Sequence, residues 1–165
     1  MVKRKSLFKN HTLVFTEHFP YHRKIKCSQK KYKALLGIGG NVGDVLRRFE
    51  HLFQYLKTSR FVTVLETAPI LKNPPFGYLD QDDFYNSLIL VETNLTPRAL
   101  LRYILRVEKK FGRKRLFKDG PRTLDIDIIF YENVKMDTEV LTIPHPEWMN
   151  RASVLIPLSK MKNKF

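Results

Sequence analysis

The chain has 165 residues, of which 43% are hydrophobic, and its formal net charge is +14. This composition suits one globular domain and excludes a largely disordered chain, and no apolar run reaches the roughly 20 residues of a membrane-spanning helix. The N-terminal apolar run is too short for a signal peptide, and Cys27 is the sole cysteine. We therefore expect a cytoplasmic protein without an intramolecular disulfide.

The positive charge is concentrated near the N-terminus. Residues 1–33 contain ten Lys or Arg and one acid, a net charge of +9, whereas the remainder has 20 basic and 15 acidic residues, a net charge of +5. A basic excess favours polyanionic partners, but most of it lies outside the regular part of the chain. We divide the chain into a basic N-terminal arm or extra edge strand, 1–32, with a possible strand at Thr12–Thr16, and a main domain, 33–165.

The main domain opens with a strand, a tight turn and a helix. The apolar run Ala34–Ile38 predicts a buried strand that ends at the glycines before Asn41. Asn41 or Gly43 is the expected cap of a helix over 44–57. The apolar residues of this helix recur at three- and four-residue spacing, which predicts an inward face of Leu46, Phe49, Phe53 and Leu56.

The middle of the chain alternates strands with a long irregular connection. Residues 61–65 are rich in β-forming side chains and predict a strand. Residues 66–82 contain several prolines, which predict no regular element, and a connection of this length is often functional. A further strand is predicted over 86–92.

The C-terminal part holds the second helix and the last strand. Thr96-Pro97 is a helix start, and Gly112 is its stop. The inward face predicted for this helix is Leu100, Ile104, Val107 and Phe111. A basic loop over 113–122, a strand over 123–131, a short strand near 142–144 and a helical turn over 151–158 complete the chain. The order strand, helix, strand, strand, helix, strand predicts an α+β, ferredoxin-like antiparallel sheet with helices packed on it.

The segment Gly120–Phe130 carries the most chemical information. Side chains alternate along a strand, so Asp125 and Asp127 share one face, roughly 7 Å apart along the strand, while Leu124, Ile126 and Ile128 share the other. Two like charges on one face are stabilised by a cation between or beside them, and hard oxygen ligands suit Mg²⁺. The alternative is a solvated strand face, which is common on antiparallel sheets.

Basic side chains surround these aspartates in the sequence. Phosphoryl-type transfer needs metal ions and fixed cations to neutralise charge on several phosphate oxygens, and arginine grips such oxygens two at a time. The candidates are Arg113, Lys114, Arg115, Lys118, Arg122, His145 and Arg151, each of which, taken singly, also fits a solvated surface position.

Other candidates have simple structural explanations as well. The glycines over 37–43 fit a tight turn better than a phosphate loop, because no Gly-Lys-Ser/Thr follows and Val42 stands where a dinucleotide fingerprint has its third glycine. Phe76, Phe84 and Asn86 offer a slot for a flat heterocycle, or Phe84 is simply core. Glu108 fits a helix-surface ion pair.

Together these segments resemble 6-hydroxymethyl-7,8-dihydropterin pyrophosphokinases of folate biosynthesis. The strongest part is Gly120-Pro121-Arg122-Thr123-Leu124-Asp125-Ile126-Asp127-Ile128-Ile129. Supporting segments in the same order are Gly37–Asn41, Glu66–Pro69, Phe84–Asn86, Gly112–Arg115 and Ile143–Arg151. The resemblance implies an ATP-dependent pyrophosphokinase that occupies 33–165, releases AMP and uses ATP as co-substrate with two Mg²⁺ ions.

The resemblance also implies residue roles. Asp125 and Asp127 would hold the metals, and Arg113, Arg122 and Asp127 would be catalytic. The ATP-binding residues would be Glu108, Arg115, Ile128, Thr142, His145 and Arg151. The pterin-binding residues would be Gly39, Asn41, Thr67, Ala68, Phe84 and Asn86. Mobile loops would lie at about 41–44, 68–82 and 113–121.

Two positions depart from the family's pattern. Asp119 stands where a tryptophan is common, and Ser153 stands where a second pterin-stacking aromatic is usual. We expect a monomer with no membrane partner. The rival hypotheses are a nucleic-acid-binding ferredoxin-like module, which the charge favours but the two aspartates oppose, and a catalytically inactive regulatory relative.

Overall fold

A computed structural model describes residues 1–24, 29–113 and 117–163. The strands are β1 Lys3–Phe8, β2 His11–Phe15, β3 Tyr21–His22, β4 Tyr32–Gly40, β5 Val62–Thr67, β6 Ile70–Asn73, β7 Phe84–Thr93, β8 Asp125–Tyr131, β9 Met136–Asp137 and β10 Thr142–Ile143. The helices are α1 Val45–Lys57, α2 Pro97–Lys110 and α3 Ala152–Ser159. The chain thus has an α+β fold, and none of the described helices is long and apolar enough to cross a membrane.

The centre of the large sheet is formed by β7, β4 and β8, which pair antiparallel. β5 and β6 pair with successive parts of the other edge of β7. In this register Gly39 lies between Asn86 and Asp125. Directly opposed residues share a face of the sheet, so one cross-strand row holds three predicted site residues.

Helices α1 and α2 cover one face of the sheet. Their inward residues Phe49, Phe53, Leu100 and Ile104 are at most 1% exposed. The remaining predicted inward residues Leu56 and Val107 are also buried, whereas Leu46 and Phe111 are only partly buried at the margin of this core. The helical spacing therefore located the core face of both helices correctly.

Helix α3 lies on the opposite face of the sheet. Its Val154 packs in a second, smaller core with Leu35, Leu88, Leu90 and Ile129. A cleft lies beside α3 on this face.

The N-terminal segment belongs to the same sheet. β1 and β2 form a hairpin, β2 pairs with β6, and β3 pairs with β5. The strand predicted at Thr12–Thr16 is confirmed as β2. Phe19 is completely buried between Phe49 and Phe53 of α1, so this segment contributes to the main core.

Two local predictions are wrong. The cap of α1 is Asp44, whose side chain accepts a hydrogen bond from the Arg47 amide, rather than Asn41 or Gly43. Residues 66–82 are not wholly irregular, because β5 runs to Thr67 and Ile70–Asn73 forms β6. β6 exists because β2 and β7 satisfy its backbone on both sides, and such partners are invisible in local sequence.

Candidate active site

A cleft beside α3 collects predicted site residues from five separate segments. Its lining includes Gly39 of β4, Phe84 and Asn86 of β7, Arg122, Asp125 and Asp127 around β8, and His145, Arg151 and Ser153 near α3. These residues are up to 114 positions apart in the chain, from Gly39 to Ser153. Their convergence is produced by the β7-β4-β8 order of the sheet.

The two aspartates share the cleft face of β8 but differ in environment. Asp125 is 7% exposed, whereas Asp127, two residues further along the strand, is exposed. Leu124, Ile126 and Ile128 are buried in the core on the helix side, as the alternation predicts. A solvated strand face therefore does not describe Asp125.

Two arginines neutralise the buried aspartate. Arg122 forms a short ion pair through Nη1 with Oδ2 of Asp125, and Arg113 Nε lies 3.6 Å from its Oδ1. Arg113 also contacts Glu108, with Nη1 2.7 Å from Oε2. The carboxylate is thus held between two guanidinium groups at the base of the cleft.

Glu108 lies behind this cluster and is 2% exposed. Its Oε1 accepts a hydrogen bond of 2.8 Å from the Ile126 amide. Burial raises the pKa of Glu108 to about 7; the Ile126 bond and Arg113 oppose the rise, and Asp125 and Asp127 add to it. Glu108 therefore ties α2 to β8 beside Asp125, and its predicted contact with ATP stays a prediction.

A second, shallower groove meets the cleft at Asp127 and His145. The groove is lined by Ile128, Thr142, Leu141 and Val140 together with these two residues. Asp127 and His145 thus stand at the junction of two neighbouring depressions. Two of the predicted ATP-binding residues, Ile128 and Thr142, lie on the groove side of this junction.

His145 is fixed by its backbone and by its ring. Its amide donates to the Ile129 carbonyl at 2.9 Å, and its Nδ1 lies 3.2 Å from the Glu147 amide. Burial lowers the pKa of His145, Arg151 lowers it further, and Asp127 and Glu147 oppose the change. A neutral ring whose Nδ1 accepts the Glu147 amide bond has its proton on Nε2.

The opposite wall offers a ring and an amide. The Arg122 guanidinium lies 5.3 Å from the centre of the Phe84 ring. Asn86, two residues after Phe84 on β7, lies beside Gly39. A Cβ atom at position 39 would come within 2.6 Å of Asn86 Oδ1. Glycine at this position therefore leaves the space that the Asn86 amide occupies.

Asn41 links loops beside the cleft. Its Nδ2 donates to Gln81 Oε1 and to the Asp82 carbonyl, both at 2.9 Å. Its Oδ1 accepts from the Arg122 amide at 3.0 Å. Asn41 is 6% exposed, and it supports the loop that carries Arg122.

Thr67 and Ala68 lie away from the linings of the cleft and the groove. The hydroxyl of Thr67 donates to the His18 carbonyl and accepts from the Tyr21 amide at 2.8 Å. Ala68 is completely buried in the smaller core. Arg115 lies outside the described residues. Pterin contacts of Thr67 and Ala68 and the phosphate contact of Arg115 stay predictions.

Sequence reasoning missed two polar residues of the 66–82 connection. Asn73 accepts a 2.8 Å hydrogen bond from the Asn86 amide, and Gln81 binds Asn41. Isolated amides in a proline-rich stretch carry no sequence signal for such roles, since their partners are distant in the chain.

The one group of three metal-capable side chains found in the described ranges is not in the cleft. Ligand atoms of Glu17, His18 and Glu50 lie within 4.8 Å of one another. Glu50 already accepts hydrogen bonds from the Thr16 hydroxyl at 2.6 Å and the His18 amide at 3.0 Å. These hydrogen bonds explain the group, because they hold the N-terminal segment against α1.

Comparisons with known proteins cover the whole of this cleft. Residues 35–163 match the family described as 7,8-dihydro-6-hydroxymethylpterin-pyrophosphokinase. A Helicobacter pylori protein named 2-amino-4-hydroxy-6-hydroxymethyldihydropteridine pyrophosphokinase is 42% identical over 129 residues, 77% of this chain and 79% of that protein. The Campylobacter jejuni protein of the same name is 43% identical over 129 residues, 78% of this chain and 82% of that protein. The Dictyostelium discoideum folic acid synthesis protein FOL1 is 38% identical over 130 residues, 79% of this chain and 20% of that protein.

Proposed function

The chain belongs to the 7,8-dihydro-6-hydroxymethylpterin-pyrophosphokinase family, and we propose that the cleft beside α3 carries out the family's reaction. The enzyme transfers pyrophosphate from ATP to 6-hydroxymethyl-7,8-dihydropterin and releases AMP, a step of folate biosynthesis. The observation that carries the proposal is the junction at Asp127. There the pocket that holds Phe84, Asn86 and Arg122 meets the groove that holds Ile128 and Thr142.

The pterin side of this junction is the wall formed by β4 and β7. The Phe84 ring offers a flat face for the bicyclic ring, and Asn86 beside Gly39 offers an amide to its polar edge. Asn41 acts by holding the Arg122 loop. Thr67 and Ala68 remain candidates through the family resemblance.

The ATP side is the groove formed by β8 and the 138–146 segment. Ile128 and Thr142 line it, His145 stands where it meets the cleft, and Arg151 lines the cleft beyond this junction. A neutral His145 with its proton on Nε2 donates a hydrogen bond to phosphate oxygen, and Arg151 supplies the charge. Glu108 and Arg115 complete this side by resemblance.

Asp125 and Asp127 would hold Mg²⁺, as two ions in the family's pattern. The donor set fits, because both side chains offer carboxylate oxygens from one strand face, and these are ligands that Mg²⁺ prefers. When bound, Mg²⁺ supplies neutralisation of the triphosphate charge. Arg113 and Arg122 then add fixed positive charge beside it.

The transfer step is an in-line displacement at the β-phosphorus. A bond forms between the pterin hydroxymethyl oxygen and this phosphorus, and the bond to the bridging α,β-oxygen breaks, so that AMP leaves with that oxygen. Arg113 and Arg122 stabilise the negative charge that spreads over the phosphate oxygens. Asp127, which is exposed at the junction, is our candidate to take the hydroxyl proton.

Four broader expectations belong to the same proposal. The order β5-β7-β4-β8 in the sheet, with α1 and α2 on one face, supports a ferredoxin-like arrangement. We also propose that 33–165 is the catalytic domain, that the enzyme acts as a monomer, and that it works in the cytoplasm, where ATP and Mg²⁺ are available.

The direct test measures AMP formed from ATP with Mg²⁺ and 6-hydroxymethyl-7,8-dihydropterin. AMP that requires all three components supports the proposal, and omission of the pterin or the metal is the control. The nucleic-acid hypothesis gains no support from the comparisons. It would replace the proposal if the protein released no AMP, bound no ATP and bound RNA tightly at physiological salt.

A further inference from the structure

Asn86 is held by a relay of amide groups that begins in the connection before β7. Asn86 Nδ2 donates to Asn73 Oδ1 at 2.8 Å, and Asn73 Nδ2 donates to the Pro74 carbonyl at 3.0 Å. Asn73 lies directly opposite Phe84 in the β6–β7 pairing. Its side chain therefore shares a face with Phe84 and reaches diagonally to Asn86.

The direction of this relay is fixed by chemistry. A carbonyl oxygen only accepts hydrogen bonds, so the Pro74 carbonyl requires the Nδ2 end of Asn73. The other end of the Asn73 amide is then an acceptor, which in turn requires the Nδ2 end of Asn86. The Asn86 Oδ1 is left on the side next to Gly39, in the cleft lining.

We propose that Asn73 is a positioning residue that sets the hydrogen-bonding direction of Asn86, so that the cleft presents an acceptor oxygen to N–H groups on the substrate ring. This inference rests on the proposed function and adds a specificity element to it. An amide free to rotate by half a turn offers donor and acceptor equally. A fixed one favours a ring edge that carries amino or ring N–H groups, which pterins have.

Asn73 acts only through Asn86 in this scheme. Asn73 lines neither the cleft nor the groove, and it takes no part in the described ion pairs of Asp125. Its loss should therefore weaken pterin binding without slowing the transfer step. Loss of one oriented hydrogen bond corresponds to an affinity change of about 5–10-fold.

The experiment compares Asn73→Ala, Asn73→Asp and the wild type. In Asn73→Ala we expect the KM and Kd for the pterin to rise about 5–10-fold, with kcat and the KM for ATP within about twofold of wild type. Asn73→Asp keeps an acceptor for Asn86 Nδ2, so it should restore most of the pterin affinity. Lys72→Ala, on the opposite face of the same strand, is the matched control and should leave all four constants unchanged.

A double-mutant cycle with Asn86→Ala separates positioning from a general effect on the fold. If Asn73 works through Asn86, adding Asn73→Ala to Asn86→Ala should not weaken pterin binding further. Additive losses, equal losses in Asn73→Ala and Asn73→Asp, or unchanged pterin affinity in Asn73→Ala would each overturn the inference. Pterin Kd is measured without turnover, so failure of the wild type to form AMP would reject the proposed reaction without deciding the role of Asn73.

Discussion

At the scale of single residues, two aspartates of one strand have different surroundings. Asp125 is buried between Arg122 and Arg113, whereas Asp127 is exposed where the two depressions meet. The buried carboxylate is fixed by cations and backed by Glu108, which also contacts Arg113. The metal-binding role that we propose for both is thus combined with separate electrostatic surroundings.

Removing either carboxylate charge should abolish turnover while the fold remains. We expect Asp125→Asn and Asp127→Asn to lower kcat by about a hundredfold or more, because a catalytic metal ligand and a large share of the electrostatic stabilisation are lost. AMP formation by chromatography and circular dichroism of each variant are the measurements. Exposed Asp80→Asn is the control, and near-normal turnover in either cleft variant would reject the metal-binding hypothesis.

At the scale of elements, one glutamine joins three loops beside the cleft. Gln81 Nε2 donates to the Asp119 carbonyl at 2.8 Å and to the Tyr78 carbonyl at 2.6 Å, and its Oε1 accepts from Asn41. The Tyr78 and Phe117 rings meet edge to face at 5.1 Å. Asp119, at the position where the family often has tryptophan, thus contributes its backbone to this junction.

Removing the side-chain hydrogen bonds of Gln81 should lower catalytic efficiency more than it lowers the stability of the fold. In Gln81→Ala we expect kcat/KM for the pterin to fall about tenfold, since loops that close together exclude water and complete the site. The thermal midpoint should stay within about 2 °C of wild type, because the loops are surface segments. A variant with unchanged kcat/KM would show that the three loops need no link through Gln81.

A second contact between elements depends on pH. The Thr16 hydroxyl and the His18 amide and ring bind Glu50 of α1. Burial would raise the pKa of Glu50, but these hydrogen bonds outweigh it, so the pKa lies below the ordinary value of 4.5. A carboxyl group whose pKa is lower in the folded state than in the unfolded state stabilises the fold at pH values above its unfolded-state pKa. This contribution is lost as the pH falls through the folded-state pKa.

Glu50→Gln should therefore destabilise the protein mainly above pH 4.5. We expect a loss of about 1–2 kcal/mol near neutral pH, from weaker bonds to a neutral partner, shrinking as the pH falls below 4.5. Urea unfolding at several pH values measures this difference, with exposed Glu139→Gln as control. A difference that grows on acidification would contradict the assignment.

At the scale of the whole molecule, the basic N-terminal segment is part of the folded core. β1 and β2 extend the sheet through β6, and Val14 and Phe19 are completely buried in the main core. Most of the basic side chains of β1 remain exposed at the outer edge. Charge and packing in this segment are thus carried by different residues.

Truncation of Phe19 should destabilise the entire chain. Its ring packs against Phe49 and Phe53 at centroid distances of 5.9 and 6.3 Å, and removal of a buried phenylalanine costs about 3–5 kcal/mol. Chemical denaturation of Phe19→Ala measures the loss, with exposed Phe8→Ala as control. A loss below about 1 kcal/mol would show that this segment is a dispensable arm.

The sequence alone predicted α1 and α2, the strands β2, β4, β5, β7 and β8, and the two carboxylates on one face of β8. These features have local signals: helical spacing at Phe49 and Phe53, and strand alternation at Asp125 and Asp127. A motif such as Gly120–Ile129 also indicates the family, because its characteristic residues are adjacent in the chain and can be recognised without the structure. The division of the chain at 33 and the contacts of Arg115 stay predictions.

Packing between distant segments set which polar groups meet. Pairing of β6 with β2 and β7 made a strand from a proline-flanked segment, and the same pairing brought Asn73 to Asn86. Burial of Glu108 behind Asp125 likewise depends on the packing of α2 against β8. Hydrogen-bond partners and burial are set by segments far apart in the chain, so the packing of elements decides what each side chain contacts and, for β6, which element forms.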